Sequence, residues 1–276
     1  AGFLDIRDFP SRVELSLYPD KDEIEIRLAS GDRFYLSEVN AIYWRNYNAI
    51  ANLQGVMVET AEHAYICEND SRSAAESVLL SAQTRWVNGW EGFQLHQRKP
   101  YALRKVAALG VRCPRTIISN DPDALRAFHR REGDTIFKPV QGGSHTRRVE
   151  VDEFYQGMKD SLRASPITFQ EEIKGTNIRV FVAGEAVFAV EIATDFIDFR
   201  DDRRPEIRTV DIPPQVREDS RAIAKELGLL WTGIDFRLND AGEYVFLEAN
   251  PSPMFIGFEK ASGLPLTQAL LDLLLK

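Results

Sequence analysis

Residues 231–254, WTGIDFRLNDAGEYVFLEANPSPM, constrain this chain more than any other stretch. Residues 230–238 are rich in aromatic and branched side chains, and 243–249 alternate as a strand does. Asn239, Asp240, Ala241 and Gly242 between them are a turn signal. The pattern predicts a β-hairpin with a four-residue loop, Leu238 opposite Glu243 and Asp235 opposite Phe246. Strand side chains alternate with period two, so Asp235, Arg237, Phe246 and Glu248 would share one face. Asn250 would continue that face just past the strand end. Two carboxylates and a carboxamide there suit Mg²⁺, which takes hard oxygen ligands, few of them from protein. Polar positions on an exposed sheet face would give the same pattern. Glu248 lies between Leu247 and Ala249, however, and a buried carboxylate needs a cation or strong donors nearby. A register slip of one residue would carry Glu248 to the opposite face.

What surrounds the hairpin is an ordinary folded chain. Its 276 residues are 44% hydrophobic and 28% charged, enough for two or three compact parts. A net charge of −8 argues against a nucleic-acid or membrane-surface partner. Any site for a polyanion must then be a local basic cluster. No apolar run approaches the roughly 20 residues that span a bilayer, and there is no signal-peptide pattern. Cys67 and Cys113 lack metal or redox spacing and read as free thiols in a reducing cytoplasm. His63, His96, His129 and His145 form no ligand motif.

Residues 1 to about 60 read as β-rich. Alternating runs at 13–17 and 23–28 form a hairpin, and 3–6 and 41–45 read as buried strands. An apolar stripe predicts a helix over 71–90. Pro100 opens a second helix that Gly110 stops, and Asp121-Pro122 caps a third that runs to about Arg131. Further helices are expected at 151–163, 215–227 and 264–273. Strands are expected at 135–140 and 167–173, with a hairpin of 179–182 and 186–192 around Gly184.

Several pieces carry chemistry. Lys138 lies within an apolar strand, and a buried lysine needs an anionic partner. Gly142, Gly143 and Ser144 follow in a small loop of the kind whose backbone N–H groups can approach phosphate, or that simply turns the chain. Lys99, at a helix start, is a second candidate cation. Arg179, Arg200 and Arg237 fall in the half that holds the carboxylates, and arginines stabilise charge on a transferring phosphoryl group. Mg²⁺ with lysines, arginines and a phosphate loop points to phosphoryl transfer, which needs no protein nucleophile. No Cys/His or Ser/His nucleophile motif is present.

Taken in order, these motifs resemble the ATP-grasp superfamily over nearly the whole chain. The residues that carry the resemblance are Arg98-Lys99-Pro100 with Leu109-Gly110, then Phe137-Lys138-Pro139, Gln170-Glu171-Glu172-Ile173, Asn177-Ile178-Arg179-Val180 and Phe246 through Asn250. Asn177 stands where the family has Asp. The tail Asn250-Pro251-Ser252-Pro253 with Gly257-Phe258-Glu259-Lys260 is similar to ligases that add glutamate to a ribosomal protein. Asp8-Phe9-Pro10, Tyr43-Trp44-Arg45 and Asp198-Phe199-Arg200 are similar to graspetide or microviridin-type peptide ligases, whose segment is Asp-Trp-Arg. The chain departs from that second pattern at Arg45-Asn46 and at Ser252-Pro253-Met254.

The resemblance implies an α/β fold of α+β subdomains. It comprises an N-terminal pre-ATP-grasp domain (1–95), a central subdomain (96–172) and a C-terminal subdomain with the Mg²⁺ site (173–276). It also implies a further strand and helix ahead of Ala1. The implied activity is ATP-dependent formation of an amide or ester through an acyl phosphate, on a ribosomal peptide or protein that can bear a leader. An amino-acid or dipeptide ligase is the alternative, and a non-catalytic nucleotide-binding protein a third. By resemblance Lys99, Lys138, Gly142, Gly143 and Ser144 bind the ATP phosphates, and Glu171, Glu172 and Ile173 line the adenine through their main chain. Asp235, Glu248 and Asn250 hold Mg²⁺, or Mn²⁺, which an oxygen set also admits. Arg179 neutralises the phosphoryl group, and Arg200 and Arg237 orient the substrate. A cytoplasmic homodimer is implied, with no nucleic acid and no membrane.

Overall fold

A computed structural model describes residues 1–276 apart from 22, 44, 46–59, 142–144, 150–159, 195, 197, 198 and 203. The chain forms two compact units, residues 1–90 with 274–276, and residues 91–273. Trp44, Gly142, Gly143, Ser144 and Asp198 lie outside the described residues, as does most of the helix expected at 151–163.

In the first unit, β1 (Glu14–Tyr18), β2 (Glu23–Arg27) and β3 (Arg33–Tyr35) form an antiparallel sheet. The expected 13–17/23–28 hairpin is its first two strands. β4 (Ala41–Tyr43) pairs in parallel with β5 (Arg85–Val87). Two expectations are corrected here. The helix expected over 71–90 runs Ala61–Ser81, with Thr60 Oγ1 accepting from the His63 N–H at its start. Val87, wholly buried beside Tyr43, makes 85–87 a strand, because tertiary pairing overrides the helical stripe. Residues 3–6 are not a buried strand: Phe3 and Leu4 are exposed, and Asp5 caps a 3₁₀ turn at Ile6–Asp8.

The second unit carries two sheets. β6 (Thr116–Ser119), β7 (Thr135–Pro139), β8 (Arg147–Arg148) and β9 (Ile167–Glu171) lie in the order β6-β9-β7-β8. β10 (Thr176–Ala183), β11 (Ala186–Ala193), β12 (Glu206–Thr209), β13 (Trp231–Leu238) and β14 (Tyr244–Asn250) lie in the order β12-β11-β10-β13-β14. Alternation along β10 sends Ile178, Val180 and Val182 to one face. There they join Ile234, Phe236 and Phe246, with Val216 and Ile223 of helix Pro214–Glu226 and Val106 of helix Lys99–Ala108. The other face changes character along its length. At one end Phe181 and Trp231 stack, with Phe258 and Phe255 edge-on against them. Arg179 follows on that face two residues along β10 from Phe181, and its register partner Asp235 four residues along β13 from Trp231.

The β13–β14 hairpin departs from its expected register. Asn239 N–H donates to the Glu243 carbonyl at 3.0 Å, so only Asp240, Ala241 and Gly242 form the loop. Gly242 takes the left-handed conformation, φ +81°, that a three-residue hairpin loop needs. Leu238 therefore faces Tyr244, and Phe236 faces Phe246. Carried on without interruption, this slip would set Asp235 opposite Leu247 and put Glu248 on the wrong face. A bulge between Asp235 and Phe236 takes up one residue, Leu247, and pairs Asp235 with Glu248. The two carboxylates share a face, as expected, by a register that was not. Phe246 moves to the core face, and Asn250 ends the strand opposite Gly233 rather than lying beyond it.

Residues 172–175 connect the two sheets. Gly175 has φ +136°, and a Cβ there would lie 1.9 Å from the Leu238 carbonyl oxygen. At Gly242 the same carbon would meet open space. Gly175→Ala should therefore lower unfolding free energy by more than about 2 kcal/mol, and Gly242→Ala by about 1 kcal/mol, in urea titrations. Equal losses would mean that only the backbone angle matters.

Candidate active site

The site is a row of charges across neighbouring strands. Arg179 on β10 is the register partner of Asp235 on β13, which is the partner of Glu248 on β14. Arg179 grips Asp235 with two bonds, Nε to Oδ1 and Nη2 to Oδ2, each 2.7 Å. Both side chains are largely buried, at 9% and 15% exposure. Ring centroids of Phe199 and Phe258 each lie 5.3 Å from the Arg179 guanidinium carbon. At the other end of the row, Lys99 Nζ donates to Glu248 Oε2 at 2.7 Å. The order is plus, minus, minus, plus.

Facing carboxylates repel. At about 5 Å and an effective dielectric constant near 20 the cost is roughly 3 kcal/mol, so flanking cations are required. Lys99 sits at the first position of its helix, where the positive end of the helix dipole disfavours a lysine. Its ion pair with Glu248 offsets that. Burial raises the Glu248 carboxyl, but the Lys99 charge and hydrogen bond and the charges of Lys138 and His96 outweigh it, and its pKa falls from 4.5 to about 2. A depressed carboxyl stabilises the fold above the unfolded value. That contribution is complete above pH 4.5 and is lost as the pH falls towards about 2.

Lys138 comes from the other sheet. It projects from β7 on the same side as Gln170 of β9, whose Oε1 accepts from Lys138 Nζ at 3.0 Å. Gln170 is 2% exposed and donates in turn to Thr116 Oγ1 at 2.9 Å. Lys99, Lys138, Arg179, Asp235 and Glu248 are thus assembled around a single field of charge. Asn250 stands two residues along from Glu248, its Oδ1 accepting from the Ser252 N–H at 2.9 Å.

The remaining candidates lie further off. Arg237 donates to the Gly175 carbonyl at 3.2 Å, which sets it towards the connection between the sheets. Arg200 falls on the 3₁₀ turn Phe199–Asp201. The Glu171 carboxylate is held by Arg112 and Arg115. It also accepts the Arg115 backbone N–H at 3.0 Å, the donor a regular ladder would give to the Glu171 carbonyl. Glu172 forms a two-bond pair with Arg148, and its N–H donates to the Asp134 carbonyl. Ile173 follows in the same connection.

Sequence reasoning missed two residues. Gln170 was legible as a buried polar residue two positions before Glu172, on the face of Lys138. His96 was not. Its Nδ1 lies 2.9 Å from the Ala249 carbonyl, between Glu248 and Asn250. Burial lowers its pKa, with Glu248 opposing and Lys99 assisting. Only the fold brings residue 96 to residue 249.

The donor set fits Mg²⁺ in kind: two carboxylates and an amide oxygen, with cations already drawn to the carboxylates. Among the described residues no group of three His, Cys, Asp or Glu forms a cage that would hold a metal unaided. Mg²⁺ bound with phosphate needs no such cage.

A model of the RimK-like ATP-grasp domain matches residues 96–274. The chain belongs to this family. It is 27% identical over 185 residues to a probable alpha-L-glutamate ligase 2 of Shewanella amazonensis. It is 30% identical over 183 residues to a probable alpha-L-glutamate ligase of Enterobacter sp.. Those matches cover 62% of this chain and 60% and 61% of the relatives, so the chain spans about three fifths of their length. Among solved structures, the ATP-grasp ligase PsnB in complex with its minimal precursor superposes with a TM-score of 0.83 at 30% identity. That likeness covers 98% of this chain and 88% of PsnB. PsnB has also been solved with Mg and ADP. The macrocyclase MdnC of Microcystis aeruginosa MRC, bound to its precursor peptide MdnA, shares the fold with a TM-score of 0.86 at 22% identity, over 99% of this chain and 90% of MdnC. No helix among the described residues is long and apolar enough to cross a membrane.

With Lys99 replaced by Met, burial acts on Glu248 with less opposition. Carbon-13 NMR titration should find the Glu248 carboxyl above 4.5 in Lys99→Met, against about 2 in the unsubstituted protein. A value that stays near 2 would assign the field to Lys138 and His96 instead.

Proposed function

We propose that this chain is an ATP-dependent ligase that joins a carboxylate to an amine or hydroxyl of a ribosomally made peptide. The observation that carries the reading is the charge row Arg179–Asp235–Glu248–Lys99, with Lys138 adding to its field from the opposite sheet. A site of that kind neutralises polyphosphate and transferring phosphoryl charge, and contains the groups that this chemistry needs. Mg²⁺ bound by Asp235, Glu248 and Asn250 would supply neutralisation of the phosphate oxygens, and Mn²⁺ could replace it.

The reaction runs in two steps. A substrate carboxylate oxygen attacks the γ-phosphorus of ATP, the bond to the β-phosphate oxygen breaks, and ADP leaves. The acyl phosphate formed is attacked at its carbonyl carbon by an amine or hydroxyl. The carbon–oxygen bond to phosphate breaks, phosphate leaves, and the attacking group loses a proton, giving an amide or ester. Lys99 and Lys138, with Gly142, Gly143 and Ser144, bind the ATP phosphates. Glu171, Glu172 and Ile173 contact adenine through their main chain. The diversion of the Arg115 N–H to the Glu171 carboxylate supports that role for the Glu171 carbonyl. Arg179 meets the transferring group, and Arg200 orients the carboxylate. Arg237 belongs beside it on the strand, although its bond to Gly175 also suits a part in setting the connection between the sheets.

The peptide substrate is supported by PsnB and MdnC, which were solved with precursor peptides and which the chain matches through both of its units. The division into 1–95, 96–172 and 173–276 is part of this reading. So is a cytoplasmic homodimer, with the free Cys67 and Cys113 in keeping with a reducing compartment. A second reading, glutamate addition, is favoured by the relatives that share residues of the ligase region.

Incubation with Mg·ATP and acidic, Ser/Thr/Lys-containing peptides, against free glutamate, separates the two. Crosslinking removes one water per bond from the peptide mass, whereas glutamate addition increases it. Glu248→Gln should lower acceptor-dependent phosphate release by at least about 100-fold while shifting the melting midpoint only a few degrees. Normal turnover in Glu248→Gln would sink the metal assignment.

A further inference from the structure

Arg179 is held on more than its charged edge. Two of its donors are committed to Asp235, and that two-bond pair fixes the direction of the guanidinium. The rings of Phe199 and Phe258 stand at equal distance from its carbon, 5.3 Å each. Their origins differ. Phe258 is buried in helix Ile256–Ser262 and packs edge-on against Phe181, so it is fixed to the body of the sheet. Phe199 is only partly buried and begins the 3₁₀ turn Phe199–Asp201, the turn that carries Arg200.

That turn is tied down at further points. Asp201 Oδ1 lies 2.8 Å from Nδ1 of His145, the residue that follows Ser144. Asp202 Oδ2 accepts from Thr194 Oγ1 at the end of β11, at 2.8 Å, and Asp202 Oδ1 accepts the Arg204 N–H, also at 2.8 Å. These contacts hold the turn in place, and Phe199 is the side chain it lays on the arginine. Phenylalanine suits such a position: a ring attracts the weakly hydrated guanidinium and keeps water from it, without competing for its donors.

We propose that Phe199 is a positioning residue, setting the Arg179 guanidinium for the transferring phosphoryl group and linking the turn that bears Arg200 to it. The proposal builds on the role given to Arg179 above. Its consequence is specific. Loss of the ring opens the guanidinium to water, which weakens its pull on charge that develops in the transition state, and leaves the ground-state nucleotide contacts alone. Lys99, Lys138 and the metal ligands reach the nucleotide without Phe199. The ring is only partly buried and is not among the buried core residues, so its removal separates a positioning role from a structural one.

The test uses the full chain with Mg²⁺ and ADP, with and without aluminium fluoride, a planar mimic of the transferring phosphoryl group. Affinity is read by calorimetry for the unsubstituted protein, Arg179→Lys, Phe199→Leu and Phe199→Trp. Fluoride should tighten ADP binding to the unsubstituted protein, and Arg179→Lys should lose that tightening by about 100-fold. Phe199→Leu should lose about tenfold of it, with binding of ADP alone and the melting midpoint unchanged. Phe199→Trp, which keeps an aromatic face, should restore it. If Arg179→Lys loses the tightening and Phe199→Leu keeps it, the positioning role falls and the arginine keeps its own. If the unsubstituted protein shows no tightening, or Arg179→Lys keeps it, Arg179 does not meet the transferring group and both readings fall. Loss of ADP affinity or of melting midpoint in Phe199→Leu would make the ring structural and overturn the proposal.

Discussion

Two carboxylates face each other across neighbouring strands, and the rest of the second unit answers that repulsion. Asp235 and Glu248 are register partners, a cross-strand placement that destabilises a sheet unless positive charge is supplied. Arg179 supplies it from the strand on one side, and Lys99 from a helix start on the other. The charge and hydrogen bond of Lys99, with smaller contributions from Lys138 and His96, hold the Glu248 carboxyl near 2 against its burial. A fold has no stability reason to keep two such acids side by side. The use proposed for the arrangement is to hold a further cation and a polyanion.

Local preferences yield at the same place. Lys99 stands at the positive end of a helix dipole, Gln170 is buried with its amide spent on Lys138 and Thr116, and β14 carries a bulge at its most consequential step. Elsewhere the unit follows ordinary rules. Ile178, Val180, Val182, Ile234, Phe236 and Phe246 fill one face of the sheet and the helices cover it. Departures concentrated at one site, in a structure otherwise consistent with itself, are what function imposes on a fold.

Much of this was legible from residue order. The hairpin, the helix opened by Pro100, the hairpin around Gly184 and the strand with Lys138 all carry their own periodicity or caps. They appear where expected because local sequence is enough to define them. The failures share a cause. Residues 85–87 look helical from their neighbours and become a strand because Tyr43 and its neighbours pair with them. Phe3 and Leu4 are apolar yet exposed. His96 carries no motif, since its partner is a backbone carbonyl 153 residues away.

The sequence by itself determined the family, the kinds of residue at the site and their order along the chain: two lysines, an arginine, two acids and an amide. Alternation also settled which side chains of β10 and of β13 share a face, whereas on β14 the bulge broke it and parted Phe246 from Glu248. The tertiary structure decided the register that made use of it. A strand's own pattern is unchanged by a shift of partner, so it does not say where the loop closes. Asn239 and Gly242 closed the loop one residue short, the bulge at Leu247 restored the lost step, and Asp235 came to face Glu248. Which cation meets which carboxylate was decided in the same way, by contacts between elements far apart in the chain.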